Sequence, residues 1–104
     1  MNKVLLLITT EYNKNAAKKI AKSLIKKKLA ACVSLKDIYS IYEWEGKIQE
    51  VNEVEIKIKS KPELKNALID ALKKMTSYDV PQIIYKKFNS EKEYINWVNK
   101  SFSN

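Results

Sequence analysis

This chain of 104 residues has no histidine and no arginine, and it has only one cysteine, one glycine and two prolines. Without histidine, the commonest metal ligand and the commonest general base are missing. His-dependent catalytic triads and HExxH zinc sites are therefore excluded. A single cysteine cannot close an intramolecular disulfide or form a CxxC motif, which removes disulfide-stapled secreted scaffolds and paired-thiol redox sites. A single glycine excludes GxGxxG and Walker-type phosphate loops. Without arginine, the bidentate grip on guanine and phosphate that nucleic-acid readers use is lost.

What the chain does have is lysine. Twenty lysines against twelve acidic residues give a net charge of +8. Lysine contacts phosphate without sequence specificity, so nucleic acid is not the expected partner, and a solvated lysine surface accounts for the charge. Hydrophobic residues at 45% and charged residues at 31% describe one globular domain, residues 1–104. The apolar run Val4–Ile8 is too short for a signal-peptide core, and no stretch approaches the ~20 apolar residues of a membrane span. No membrane partner is expected, and a reducing cytoplasm is the expected location.

Periodicity sets the element order. Val4–Thr9 reads as a strand buried on both faces. Asn13 caps a helix whose apolar stripe is Ala16, Ala17, Ile20, Ala21, Leu24 and Ile25, with lysines on the other side. Ala30–Glu45 reads as one long strand with a bulge near Lys36-Asp37. Glu45-Gly46 is a hairpin turn, and the return strand covers Lys47–Ser60. In its second half Val54, Ile56 and Ile58 point inward, while Glu53, Glu55, Lys57 and Lys59 point outward. Pro62 fits the first position of a second helix with the stripe Leu64, Ala67, Leu68, Ala71, Leu72 and Met75. A loop at Tyr78-Asp79-Val80-Pro81 leads into a fourth strand, Gln82–Phe88. Ser90 and Glu93 have the spacing of a capping box for a last helix, whose apolar face is Tyr94, Ile95, Trp97, Val98 and Phe102. The order β-α-β-β-α-β plus a C-terminal helix is an α+β, ferredoxin-like sandwich.

The long hairpin does not fit inside so small a domain. Sixteen strand residues span roughly 50 Å, whereas a domain of this length is about 30–35 Å across. A protruding two-stranded ribbon is marginal alone in water, and this one would expose Tyr39, Ile41, Tyr42 and Trp44. Packing against other copies of the chain resolves both difficulties.

Candidate chemistry is sparse. Cys32, in Ala-Ala-Cys-Val, reads as a small core residue or as a soft-metal ligand. Glu43, Glu45, Glu50, Glu53 and Glu55 either keep a sheet edge soluble or hold a hard divalent ion. Tyr78, Asp79 and Pro81 form either a structural turn or one side of a site, with a stacking face and an acceptor. The same element order describes RNA-recognition domains, but the third strand, VNEVEIKIKS, lacks the aromatics that those domains need. No acid–base pair can be named, so an enzyme is not expected.

Leu29-Ala30-Ala31-Cys32-Val33, followed by Ser40-Ile41-Tyr42-Glu43-Trp44-Glu45-Gly46-Lys47, resembles the signature of the CutA (divalent-cation tolerance) family. Thr9-Thr10, Ile58-Lys59-Ser60, Tyr78-Asp79-Val80-Pro81 and Tyr94-Ile95-x-Trp97 extend the resemblance over essentially the whole chain. It implies a ferredoxin-like subunit that assembles as a homotrimer through the long hairpin. It also implies a non-enzymatic role in the response to divalent metals, copper above all. The chain departs from the family pattern before the last core strand: Thr76 and Ser77 replace His-Pro, and Gln82 replaces Glu. The side chains proposed as copper ligands in some members are therefore absent.

The sequence leads to two functional readings. One is a trimeric divalent-cation tolerance protein that acts by binding or scaffolding. The other is a trimeric regulatory binder of a small anionic ligand or nucleotide. Tyr42, Trp44, Lys59, Tyr78, Asp79 and Pro81 are the expected lining of an inter-subunit cleft. Cys32, Asp79 and Glu43 are the candidate ligands for a divalent metal such as copper.

Overall fold

The computed structural model describes residues 3–103. The elements are β1 (Lys3–Glu11), α1 (Lys14–Lys26), β2 (Cys32–Trp44), β3 (Lys47–Ser60), a 3-10 turn (Pro62–Leu64), α2 (Lys65–Met75), β4 (Ile84–Asn89) and α3 (Lys92–Lys100). The four strands form one antiparallel sheet in the order β2-β3-β1-β4, which is the expected ferredoxin-like arrangement. Among the described residues, no helix is long and apolar enough to cross a membrane.

β1 is central because it is apolar on both sides. Leu5 and Leu7 face α1 and α2 and join Ala17, Ile20, Leu24, Leu68, Leu72, Val54, Ile56 and Ile58 in the main core. Val4 points to the opposite face, where Ile95 and Val98 of α3 cover it. Helices thus pack on both sides of the sheet, but α3 covers only the end where β1 begins. Ser60 is fully buried, and its hydroxyl donates to the Leu29 carbonyl at 2.7 Å, tying the end of β3 to the entry of β2.

Several local expectations are corrected. β2 pairs with β3 in unbroken register from Cys32↔Lys59 to Trp44↔Lys47, so there is no bulge at Lys36-Asp37. The break in the apolar pattern has another cause. Val33 and Leu35 pack under the helices. Asp37, the next residue on that face, already lies at the helix layer's edge and pairs with Lys14 at 3.6 Å. Beyond it Ile38, Tyr42 and Trp44 fall on the other face, and Tyr39 and Ile41, which share the face of Asp37, are exposed because no helix reaches them. β4 starts at Ile84 rather than Gln82. The capping box does not form: Glu91 is the N-cap of α3, and the Ser90 hydroxyl donates to the Glu91 carbonyl instead. On α2, Ala67 is exposed, while Ile69 packs against the core.

The hairpin protrudes as its length requires. The molecule measures 46 × 25 × 22 Å. β1 pairs with β3 only as far as Glu11↔Val54, so the rest of β2–β3 is a two-stranded ribbon. Ile41, Tyr42, Trp44 and Ile48 on it are exposed.

The lack of glycine has a backbone consequence. The hairpin turn takes positive φ at both central residues, 52° at Glu45 and 79° at Gly46, as a type I′ turn requires. Lys28 holds φ 60° just past α1, where its N–H bonds the Ile25 carbonyl and the Leu29 N–H bonds the Leu24 carbonyl. Glycine usually fills that position. Lys28→Gly is expected to stabilise the fold by about 1 kcal/mol, and Gly46→Ala to destabilise it by a similar amount. Urea unfolding at one fixed protein concentration checks both, and equal midpoints for the three proteins would contradict the expectation.

Candidate functional site

Where the ribbon leaves the sheet, the loop after α2 folds back beside it. Two buried carboxylates hold that loop. Glu11, at the end of β1, is fully buried, and its oxygens accept the backbone N–H groups of Ser77 at 3.2 Å and Tyr12 at 3.4 Å. Glu53, on β3, is 9% exposed and accepts the Tyr78 hydroxyl at 2.5 Å. The Thr76 hydroxyl accepts the Tyr78 N–H at 3.2 Å, so both the backbone and the side chain of Tyr78 are fixed. The ring of Tyr12 meets that of Tyr78 edge-on, with centroids 4.9 Å apart.

Between the loop and the ribbon lies a cavity of about 580 Å³. The ribbon contributes Ser40, Ile41, Tyr42, Trp44 and Glu53, the loop Ser77, Tyr78, Asp79, Val80 and Gln82, and β1 and its exit Thr10 and Tyr12. Strand alternation puts Ser40, Tyr42 and Trp44 on one face, which is why residues two apart in sequence converge on one wall. Burial, the hydrogen bond to Glu53 and the negative charge of that carboxylate, in that order, push the Tyr78 hydroxyl far above the ordinary tyrosine range. Tyr78 therefore stays protonated and donating.

The expected cleft residues are partly gathered. Tyr42, Trp44, Tyr78 and Asp79 line the cavity, and Pro81 lies between two lining residues, Val80 and Gln82. Lys59 is not on this wall. It pairs with Cys32 and Leu6, and at ~3.3 Å per residue it lies roughly 20 Å along β3 from Glu53. The candidate metal ligands are dispersed within one chain. Cys32 begins β2 and Trp44 ends it, a span of about 40 Å. Glu43 points to the face opposite Tyr42 and Trp44. Among the described residues, no three His, Cys, Asp or Glu side chains come together as a metal site. A resident metal does not fit the described side chains of a single chain.

Sequence reasoning missed two residues that build the site, Glu11 and Tyr12. Glu53 was expected to point outward, as part of an acidic cluster that keeps an edge soluble or holds a divalent ion; instead it is 9% exposed and accepts the Tyr78 hydroxyl. Glu11 and Tyr12 carried no motif. Their available signal was a carboxylate placed directly after the apolar run of β1.

Tyr78 predicts a pH dependence. An unfolded tyrosine ionises near 10.0, while folded Tyr78 keeps its proton. Above pH 10 the folded state thus binds more protons than the unfolded state, and stability falls as pH rises. Tyr78→Phe removes this contribution. Unfolding midpoints compared at pH 9 and pH 11 are expected to fall more for the parent protein than for the variant; equal falls would contradict the assignment. Absorbance titration should show one late tyrosinate in the parent that the variant lacks.

Comparison with known proteins agrees with this architecture. The family described as CutA1 divalent ion tolerance protein matches residues 5–101. The divalent-cation tolerance protein CutA of Pyrococcus horikoshii is 34% identical over 96 residues, 91% of this chain and 94% of that protein. Chloroplastic CutA of Arabidopsis thaliana is 35% identical over 102 residues, 96% of this chain but 56% of the relative. The human protein CutA is 41% identical over 83% of this chain and 49% of its own length. The chain thus spans about half the length of these plant and mammalian relatives. Among solved structures, CutA1 from Ehrlichia chaffeensis superposes with a TM-score of 0.94 at 30% identity, covering 100% of this chain and 99% of the other. The protein from Archaeoglobus fulgidus described as the periplasmic divalent cation tolerance protein CutA gives 0.92 at 33% identity, over 96% and 99% of the two chains. A ferredoxin-like sheet with an overlong hairpin, matched over nearly its whole length in sequence and in structure, places this chain in the CutA1 divalent ion tolerance family.

Proposed function

We propose that this protein is a homotrimeric, non-enzymatic divalent-cation tolerance protein of the cytoplasm that acts by binding or scaffolding in the response to metal ions. The observation that carries the reading is the uncovered sheet face. Ile84 and Phe88 of β4 and Tyr42 and Trp44 of β2 are 41–55% exposed, and the half-buried Leu6, Ile8, Ile38 and Val51 lie on the same face. So large an apolar surface on a soluble-type core marks an interaction site. Other copies of the chain are the proposed partners, because the ribbon is too long for its own helices to cover. The described residues of a single chain offer no clustered metal ligands, so the proposed metal response does not run through chelation by one subunit. The cleft beside Tyr78 is the proposed binding site. A small anion is the less favoured ligand there, since it would meet Glu53 and Asp79 and no lysine.

Light scattering at micromolar concentration is expected to give three times the 12.1 kDa mass of the chain; a clean monomer would sink the proposal. Trp44→Ala should shift the population toward smaller species, because truncating a buried aromatic costs about 3–5 kcal/mol. Unchanged assembly in that variant would remove Trp44 from the interface. Thermal-shift measurements with copper and zinc salts separate direct metal binding from scaffolding. Saturating binding near 100 times the dissociation constant adds about 2.7 kcal/mol of apparent stability, and no shift with either salt would leave scaffolding as the role.

A further inference from the structure

Nearly all of the net charge sits in one segment. The fifteen residues from Lys14 to Lys28 hold seven lysines and no acidic residue, so they carry seven of the eight net positive charges. Elsewhere, thirteen lysines and twelve acidic residues almost cancel. A lysine-rich composition alone does not produce that division. On α1, Lys14, Lys18, Lys22 and Lys26 follow one another at four-residue steps, with Lys19 beside them. All five are exposed, and they fall within about 140° of the helix circumference. Ala17, Ile20 and Leu24 are buried on the opposite side. Among the described residues, Lys14 is the only one of the five in an ion pair, with Asp37 at 3.6 Å. This arrangement works against the helix. Like charges four residues apart repel, and a lysine in the first turn opposes the helix dipole. α2, in the same layer, has the usual remedy: Asp70 stands three and four residues before Lys73 and Lys74. Helix stability therefore accounts for the charges of α2 but not for those of α1. A negatively charged partner does account for them.

We propose that the lysine face of α1 is a docking surface for linear inorganic polyphosphate, a flexible chain of phosphate groups, held by Lys14, Lys18, Lys19, Lys22 and Lys26. The face stays free in the proposed trimer. α1 packs on the side of the sheet that Leu5 and Leu7 face, whereas other copies are to cover the opposite side, and the lysines point away from the sheet altogether. The chemistry of the face selects among polyanions. Lysine meets phosphate as a point charge. The other exposed residues of the arc are Asn15 and Ile25, so there is no aromatic ring on which a base could stack and no arginine for a base edge. Nucleic acid would gain nothing here from its bases. A protein partner would find one exposed apolar side chain, Ile25, where interfaces bury an apolar core. A membrane is flat, whereas three copies around a threefold axis turn their helix layers in three directions. A flexible phosphate chain needs only the ammonium groups, and it can pass from one α1 to the next with a gain in avidity. One α1, about 20 Å long, is sufficient for contact, so binding does not require the trimer.

The test follows end-labelled linear polyphosphate by fluorescence anisotropy as the full chain is added. Saturable binding is expected, weakening with salt at a log–log slope of about −3 to −4, the value for five phosphate contacts on a flexible polyanion. Two variants of equal net charge give the decisive comparison. Lys18→Gln with Lys22→Gln takes two charges from the arc, and Lys73→Gln with Lys74→Gln takes two from α2. The first should weaken binding roughly tenfold and reduce the slope by about 1.4, and the second should weaken it by less than about twofold. Glutamine keeps the helix propensity of lysine, so both variants should fold, and Lys18→Arg with Lys22→Arg should bind like the parent. Equal losses in the two glutamine variants would mean attraction to net charge only and overturn the proposal. So would the absence of saturable binding, or tighter binding of single-stranded DNA with the same number of phosphates. Preferential binding to phosphatidylglycerol vesicles would make the partner a membrane and overturn it as well. Light scattering on the same samples separates this proposal from the assembly: a monomer that binds polyphosphate through α1 fails only the trimer.

Discussion

The β2–β3 ladder is the element on which the rest of the molecule depends. Pairs run in step from Cys32↔Lys59 to Trp44↔Lys47, and nothing in that run bends the ribbon back over the domain. An antiparallel ladder of this length extends past its own core with alternate residues exchanging backbone hydrogen bonds across the pair, and it leaves the outward-pointing N–H and C=O groups of both ribbon edges open. The two helices on the core side bury only the half nearest β1. The outer half carries aromatic and β-branched side chains on both faces without an intramolecular partner. Local contacts such as the Tyr39 hydroxyl donating to Glu50 at 2.9 Å and the exposed Lys14–Asp37 pair decorate the ribbon. They do not cover it, and exposed pairs of this kind add little stability.

The second constraint is electrostatic. Burying a carboxylate is costly unless hydrogen bonds receive it, and this fold buries Glu11 fully and Glu53 nearly so. The same loop contributes to both. The Ser77 N–H donates to Glu11, beside the N–H of the adjacent Tyr12, and the Tyr78 hydroxyl donates to Glu53. The carboxylates therefore act as anchors that place the loop against the ribbon, and the cleft is the space left between them. A chain with net charge +8 thus has an acidic, aromatic recess: its lysines lie on the outer faces of helices and strands, and none lines the recess of the single chain.

Much of the architecture was legible in the residue pattern. Apolar spacing identified each helix and strand, Asn13 caps α1 through its side chain as expected, accepting the Ala16 N–H at 2.9 Å, and the hairpin turn falls at Glu45-Gly46. The ribbon's protrusion followed from counting residues against domain size. Tyr42, Trp44, Tyr78 and Asp79, named as candidate cleft residues from the loop before the proline and from the family resemblance, line one cavity. Other readings failed where a short motif competes with tertiary contacts. Ser90 and Glu93 have capping-box spacing, yet the chain enters α3 through Glu91. The apparent bulge at Lys36-Asp37 was a change of which face is buried, which periodicity alone cannot distinguish from a shift in register.

Length, charge, the missing histidine and arginine, and the alternation of apolar residues are properties of the chain itself. By themselves they determined the class of fold, the element order, the overlong hairpin and the exclusion of histidine-based chemistry. Which side chains meet was decided only by the folded chain. Glu11, Tyr12, Glu53 and Tyr78 are scattered over more than half of the sequence, and no local pattern links them. They converge because β1 and β3 are paired neighbours and the loop after α2 returns to that edge. The same pairing sends Lys59 and Cys32 to the far end of the sheet, since a strand fixes the distance between its residues at about 3.3 Å per step whatever chemistry their types suggest.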